Sequence, residues 1–144
     1  GFVPQAILWY NDHLWVAANA ANSQTLGTLF KFNISGSTAT LEFTSSSCSI
    51  NIHSMLFKDD LTILLFGTVH GDVDGRIFSY SISGNSFSNF VDPEEPSNYL
   101  GTPEGATWSS DGGILVADGA RVQKYRPNGA FSKQLATNGG LVSP

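Results

Sequence analysis

Glu104, Asp118, Asp72 and Asn19 are the side chains of this sequence best suited to holding a cation. Their carboxylate and amide oxygens are the hard ligands that Ca²⁺ or another divalent metal such as Mg²⁺ prefers. Asp72-Val73-Asp74-Gly75 also opens like a calcium loop, with Asp74 as its second carboxylate, but the third oxygen position and the distal Glu of a calcium-binding hand are missing. An ordinary Gly/Asp turn accounts for the same residues, just as a turn-entry role accounts for Glu104 and a turn cap for Asp118. His70 stands beside Asp72, a pairing that suits general-base chemistry. No Ser or Cys nucleophile is tied to it by the sequence, and a solvated loop histidine is the simpler reading, so no catalytic residue is assigned. Asn33-Ile34-Ser35 is an N-glycosylation triplet that would carry a glycan if the chain follows a secretory route. The lone cysteine, Cys48, excludes an intrachain disulfide and reads as a small buried hydrophobe.

Composition narrows the partners. Net charge is −5, with seven Lys and Arg spread singly along 144 residues. No basic stripe exists to neutralise phosphates, which excludes a nucleic-acid partner. Charged residues make up 13%, against roughly 25% in typical soluble domains. Ser, Thr, Asn and Gly take their place, a composition that fits the neutral outer faces of strands in secreted or cell-surface proteins. No apolar run reaches the length of a membrane-spanning helix, so no membrane span is expected. The opening Gly1-Phe2-Val3-Pro4 has no initiator Met or signal-peptide pattern and reads as a mature or excised segment.

A repeat positions the polar residues. Ile7-Leu8-Trp9-Tyr10-Asn11-Asp12 aligns with Met55-Leu56-Phe57-Lys58-Asp59-Asp60 and with Thr107-Trp108-Ser109-Ser110-Asp111. A turn Asp thus recurs at Asp12, Asp60 and Asp111, with a period of about fifty residues. The repeats occupy 5–43, 53–91 and 104–136 of a single domain, 1–144. Each predicts four strands, A to D. In the first unit these are Gln5 to Tyr10, Leu14 to Ala18, Gly27 to Ile34 and Thr38 to Phe43, with period-two alternation clearest in strand C. The second has Ser54 to Lys58, Leu61 to Thr68, Gly75 to Ile82 and Ser86 to Val91, and the third ends in Phe131 to Ala136. Repeats of this length with four strands are the mark of β-propeller blades. The expected fold is therefore all-β: three four-stranded antiparallel β-propeller blades, half of a six-bladed ring or a partial propeller. In that arrangement the B–C loops (Asn19 to Leu26, Val69 to Asp74, Asp118 to Ala120) and the D–A connections gather at one end of a central channel. Asn19, Asp72, Asp74, Glu104 and Asp118 fall there, with His70, His53 and Trp108 as channel-facing candidates. His13 belongs to an A–B turn at the opposite end. The recurring aromatics Trp9, Trp15, Phe30, Phe32, Phe57, Phe78, Tyr80, Trp108 and Tyr125 read as packing between blades.

The third unit carries Pro103-Glu104-Gly105, Asp111-Gly112-Gly113, Val116-Ala117-Asp118 and Arg121-Val122-Gln123-Lys124-Tyr125 before the turn at Gly129. Over residues 103–129 this resembles an NHL-type repeat, without that family's Asn-His-Leu tripeptide and with its loop before Arg121 cut to Gly119-Ala120. Pro-Glu-Gly-Ala-Thr-Trp is similar to the step that supplies a metal-binding glutamate in gluconolactonase-like enzymes, a likeness that implies a ligand role for Glu104. Families similar at the level of the blade, most of them six-bladed, include NHL scaffolds, gluconolactonase-like and strictosidine-synthase-like hydrolases, and peptidyl-amidating lyases, and a shared fold does not choose among them.

Three blades in an arc leave two apolar faces open, and such faces mark association surfaces. The sequence reading is a non-catalytic extracellular binding or structural module that self-associates through those faces, as a closed ring or a filament. The alternative is a lactonase-like or strictosidine-synthase-like hydrolase fragment with a metal or substrate site in the channel. Copies of the chain or remaining blades are the expected partners, with a glycan as a further one.

Overall fold

The structure, a computed structural model, describes residues 1–22, 26–70, 73–91 and 100–136. Its elements are all strands: β1 (Phe2–Tyr10), β2 (His13–Ala20), β3 (Gly27–Ser35), β4 (Thr38–Thr44), β5 (Asn51–Asp59), β6 (Thr62–His70), β7 (Val73–Ser81), β8 (Ser86–Asn89), β9 (Pro103–Trp108), β10 (Ile114–Asp118), β11 (Arg121–Tyr125) and β12 (Phe131–Ala136). They form three four-stranded antiparallel sheets, one per repeat, in which every strand pairs with its neighbour in sequence. No helix among the described residues is long and apolar enough to cross a membrane.

Local chemistry sets the turns. Asn11 and Asp12 both take positive φ, 48° and 59°, between Tyr10 and His13. Two left-handed central residues are the geometry whose twist matches a hairpin, and Asn and Asp tolerate it better than other side chains. In the third sheet the corresponding turn uses Gly112, φ 84°, closed by Ser109 N–H donating to the Gly113 carbonyl at 2.8 Å.

The structure corrects several expected boundaries. Residues 19–26 and 69–74 are not loops throughout: β2 runs to Ala20 and β6 to His70, with His70 opposite Val73. Continuing the ladder pairs backbone groups that a loop would leave to water. Asn19 is therefore a strand residue. β8, by contrast, stops at Asn89, short of the expected Val91.

The sheets stack in chain order, β1 and β2 lying against β5, and β5 and β6 against β9. One core fills the space between the first and second sheets, with Trp15, Leu29, Ile52, Met55, Ile63, Leu65 and Tyr80. The other lies between the second and third, with Leu64, Phe66, Ile77, Leu100, Ile114, Val116 and Tyr125. β6 explains its own unbroken apolar run: Ile63 and Leu65 enter one core, Leu64 and Phe66 the other, and all are fully buried.

Cys48 is buried in the first core, its Sγ 3.5 Å from the Gly27 carbonyl. Burial pushes its thiol from 9.0 up to about 11. The thiolate is the nucleophile, so Cys48 should resist alkylation in the folded chain and react once urea unfolds it; equal rates in both states would contradict this. An unfolded thiol ionises earlier as pH rises, so the folded state loses stability between about 9 and 11, a loss that a Cys48→Ala variant should lack.

Candidate functional site

The first strands of the three sheets lie side by side, and each carries a bulge at the same point. In β1 the register slips between Pro4 and Ala6, setting Gln5 outside the ladder. In β5 the slip between Ile52 and Ser54 does the same to His53. In β9 the pairs Pro103 with Asp118 and Gly105 with Ala117 leave Glu104 unpaired. A bulge inserts one residue, bends the strand and re-aims the extra side chain. Three equivalent bulges thus present a polar residue from each sheet.

Two of these side chains meet. His53 Nδ1 lies 3.3 Å from Glu104 Oε2, across the gap between the second and third sheets. The distance is that of an ion pair; Nδ1 itself is buried and has no aligned hydrogen-bond partner. The His53 side chain is 12% exposed and that of Glu104 62%, so the imidazole is the fixed member and the carboxylate the solvent-facing one. On the other side of the ring, Asn51 Nδ2 sits 3.2 Å from His53 Nε2. Asn51 Oδ1 in turn accepts from Asn19 Nδ2 of the first sheet at 2.5 Å. Asn19 is held at both ends by one residue of β5: it accepts from Ile52 N–H at 2.9 Å and donates to the Ile52 carbonyl at 3.1 Å. A chain of side chains therefore runs through all three sheets.

Asp118, expected among the ligands, is turned inward. It is 2% exposed, its two oxygens accept from Gly101 N–H at 2.9 and 3.1 Å, and Arg121 pairs with Oδ2. It ties the lead-in of the third sheet to the end of β10. Asp74, at positive φ of 64°, pairs with Arg76 through contacts of 2.5 and 3.1 Å. Asp72 lies outside the described residues, and His70 closes β6. Trp108 stands at the far end of β9, beside the turn, where Nε1 donates to the Phe57 carbonyl at 3.1 Å. At that end Tyr10 also stacks on Phe57 with centroids 3.8 Å apart and donates to Asp60. His13 is there too, 3.0 Å from Glu42. Asn33 is exposed on β3, opposite His13 and Thr40.

The structure thus joins Asn19, His53 and Glu104, keeps Asp118 and Asp74 in their own ion pairs, and sets Trp108 with the turns. Among the described residues, no three His, Cys, Asp or Glu side chains gather in a way that could hold a metal ion. Sequence reasoning passed over Gln5 and Asn51. The available signal for Asn51 was its place two residues before His53, on the same side of a strand by period-two alternation. The chain matches no protein-family model and no curated protein sequence.

Proposed function

We propose that this chain is a non-catalytic, extracellular binding or structural module of the β-propeller type, which associates with copies of itself through its two open sheet faces. The observation that carries this is the outer face of the first sheet. Phe2, Leu14, Val16, Phe30, Phe32 and Leu41 line one wholly apolar groove there, and Ile7 and Trp9 are 69% and 56% exposed. Exposed apolar patches spanning a whole sheet are rare on chains that remain alone. The third sheet offers a face of smaller residues, including Thr107, Leu115, Ala117 and Val122.

The internal contacts suggest how these faces meet. Leu14 and Val16 occupy in β2 the places that Ile63 and Leu65 occupy in β6, where they pack on the preceding sheet. Leu115 and Ala117 occupy in β10 the places of Leu64 and Phe66, which pack on the following one. The free faces are thus one of each kind, and a first-sheet face meeting a third-sheet face is a heterologous contact. The non-catalytic reading draws support from His53, whose Nε2 is engaged by Asn51. The exposed Asn33 suits attachment of a glycan.

Light scattering tests the reading. The wild-type chain should exceed the mass of one copy, while Val16→Lys and Leu115→Lys should each run as single chains. Mixing the two variants should restore a one-to-one pair, since each keeps one sound face. A wild type of single-chain mass at high concentration would reject self-association.

A further inference from the structure

We propose that Asn19 and Asn51 fix His53 as the Nδ1–H tautomer, and that His53 so fixed is the positioning residue for the Glu104 carboxylate. The argument starts from backbone. Ile52 N–H can only donate and its carbonyl can only accept, so the two contacts at 2.9 and 3.1 Å leave Asn19 a single amide orientation. The remaining N–H of Asn19 Nδ2 points at Asn51, whose facing atom is therefore Oδ1. That leaves Asn51 Nδ2, a donor with no lone pair to offer, 3.2 Å from His53 Nε2. A donor there requires Nε2 to be the bare, accepting nitrogen. The neutral ring then carries its hydrogen on Nδ1, the nitrogen facing Glu104 Oε2 at 3.3 Å. Each step hands the next a unique polarity, and the last sets an N–H beside a carboxylate at 3.3 Å, close enough for charge attraction though not aligned as a hydrogen bond.

Turning Asn51 over cannot relieve the chain, since that would set its Nδ2 against Nδ2 of Asn19, itself locked by Ile52. The lone pair of Nε2 is consequently spent within the protein, and the imidazole acts on Glu104 through Nδ1 alone. Metal sites and catalytic carboxylates are commonly oriented by a partner of this sort. Here the oriented group is a carboxylate whose other side faces solvent, delivered by its own bulge.

Nitrogen-15 NMR of the imidazole at pH 8, above the ordinary His range of about 6.5, reads the tautomer directly. In the wild-type chain His53 Nε2 should resonate as a bare nitrogen and Nδ1 as an N–H. Asn51→Asp offers an acceptor of the same shape and should reverse the assignment, moving the hydrogen to Nε2. Asn19→Ala, a change in another sheet that never touches the ring, should free Asn51 to turn and give a mixture. A wild-type spectrum with Nε2–H overturns the proposal without any variant being made. So does a folded Asn51→Asp chain whose tautomer is unchanged, an outcome a merely space-filling histidine would give.

Discussion

Leu64→Ala and Leu65→Ala should each destabilise the chain by about 2–5 kcal/mol, although the two residues are adjacent in one strand. In a strand with one face in water, neighbours alternate between core and solvent, and one of the pair would be nearly neutral. Here both side chains are fully buried, Leu65 against the first sheet and Leu64 against the third. Each truncation removes transfer free energy and leaves a void in a different core. Denaturant titration of the two variants and the double variant checks this. Comparable losses that add closely are expected, because the residues share no core, whereas one silent substitution would mean that a face of the middle sheet is open.

Gly129→Ala carries the next largest expected effect. Gly129 has φ of 91°, a left-handed conformation that costs other residues about 1–2 kcal/mol. A Cβ placed there would lie 2.3 Å from the Phe90 carbonyl oxygen, so the turn between β11 and β12 or the end of the second sheet must shift. Overpacking of this kind costs about 1–3 kcal/mol, for a combined loss of about 2–5 kcal/mol. Gly36 supplies the control. Its φ is 60°, yet an added Cβ meets nothing within 4 Å. Gly36→Ala should show the conformational cost alone, and equal losses at the two sites would remove the close approach as a cause.

The architecture was legible because its determinants are local. The recurring turn Asp, the period-two strands and the spacing of the units predict three four-stranded sheets, and the residues that make those features are the ones that form them. The bulges were not legible. An extra residue in one strand changes no residue type, only the partner it faces, so nothing distinguishes Gln5 from an ordinary exposed strand residue until the register is known. The recurring aromatics show the same limit. Trp15, Phe57, Tyr80 and Tyr125 fill the cores as repetition suggests, whereas Phe30 and Phe32 occupy equivalent strand positions but look out from the open face of the first sheet. Which side of a sheet is covered depends on its neighbour, and the neighbour is not written in the strand. The relay from Asn19 to Glu104 was hidden for a related reason: its members are 85 residues apart, and only the stacking of three sheets brings them into line.

In each sheet, every strand is paired only with the strand before or after it in the chain. A cut between β4 and β5, or between β8 and β9, therefore severs no ladder. Heredity can act on such a molecule in whole steps. A gene segment coding for one sheet can be copied, lost or traded by recombination, and the polypeptide that results keeps every strand beside its old partner. What such an event must renegotiate is the side chains at the seam and the few backbone contacts made by the connections, such as Gly75 N–H to the Leu100 carbonyl. Change in the number of sheets is then easier to reach than change within one, so lineages carrying this unit should differ in count sooner than in strand order.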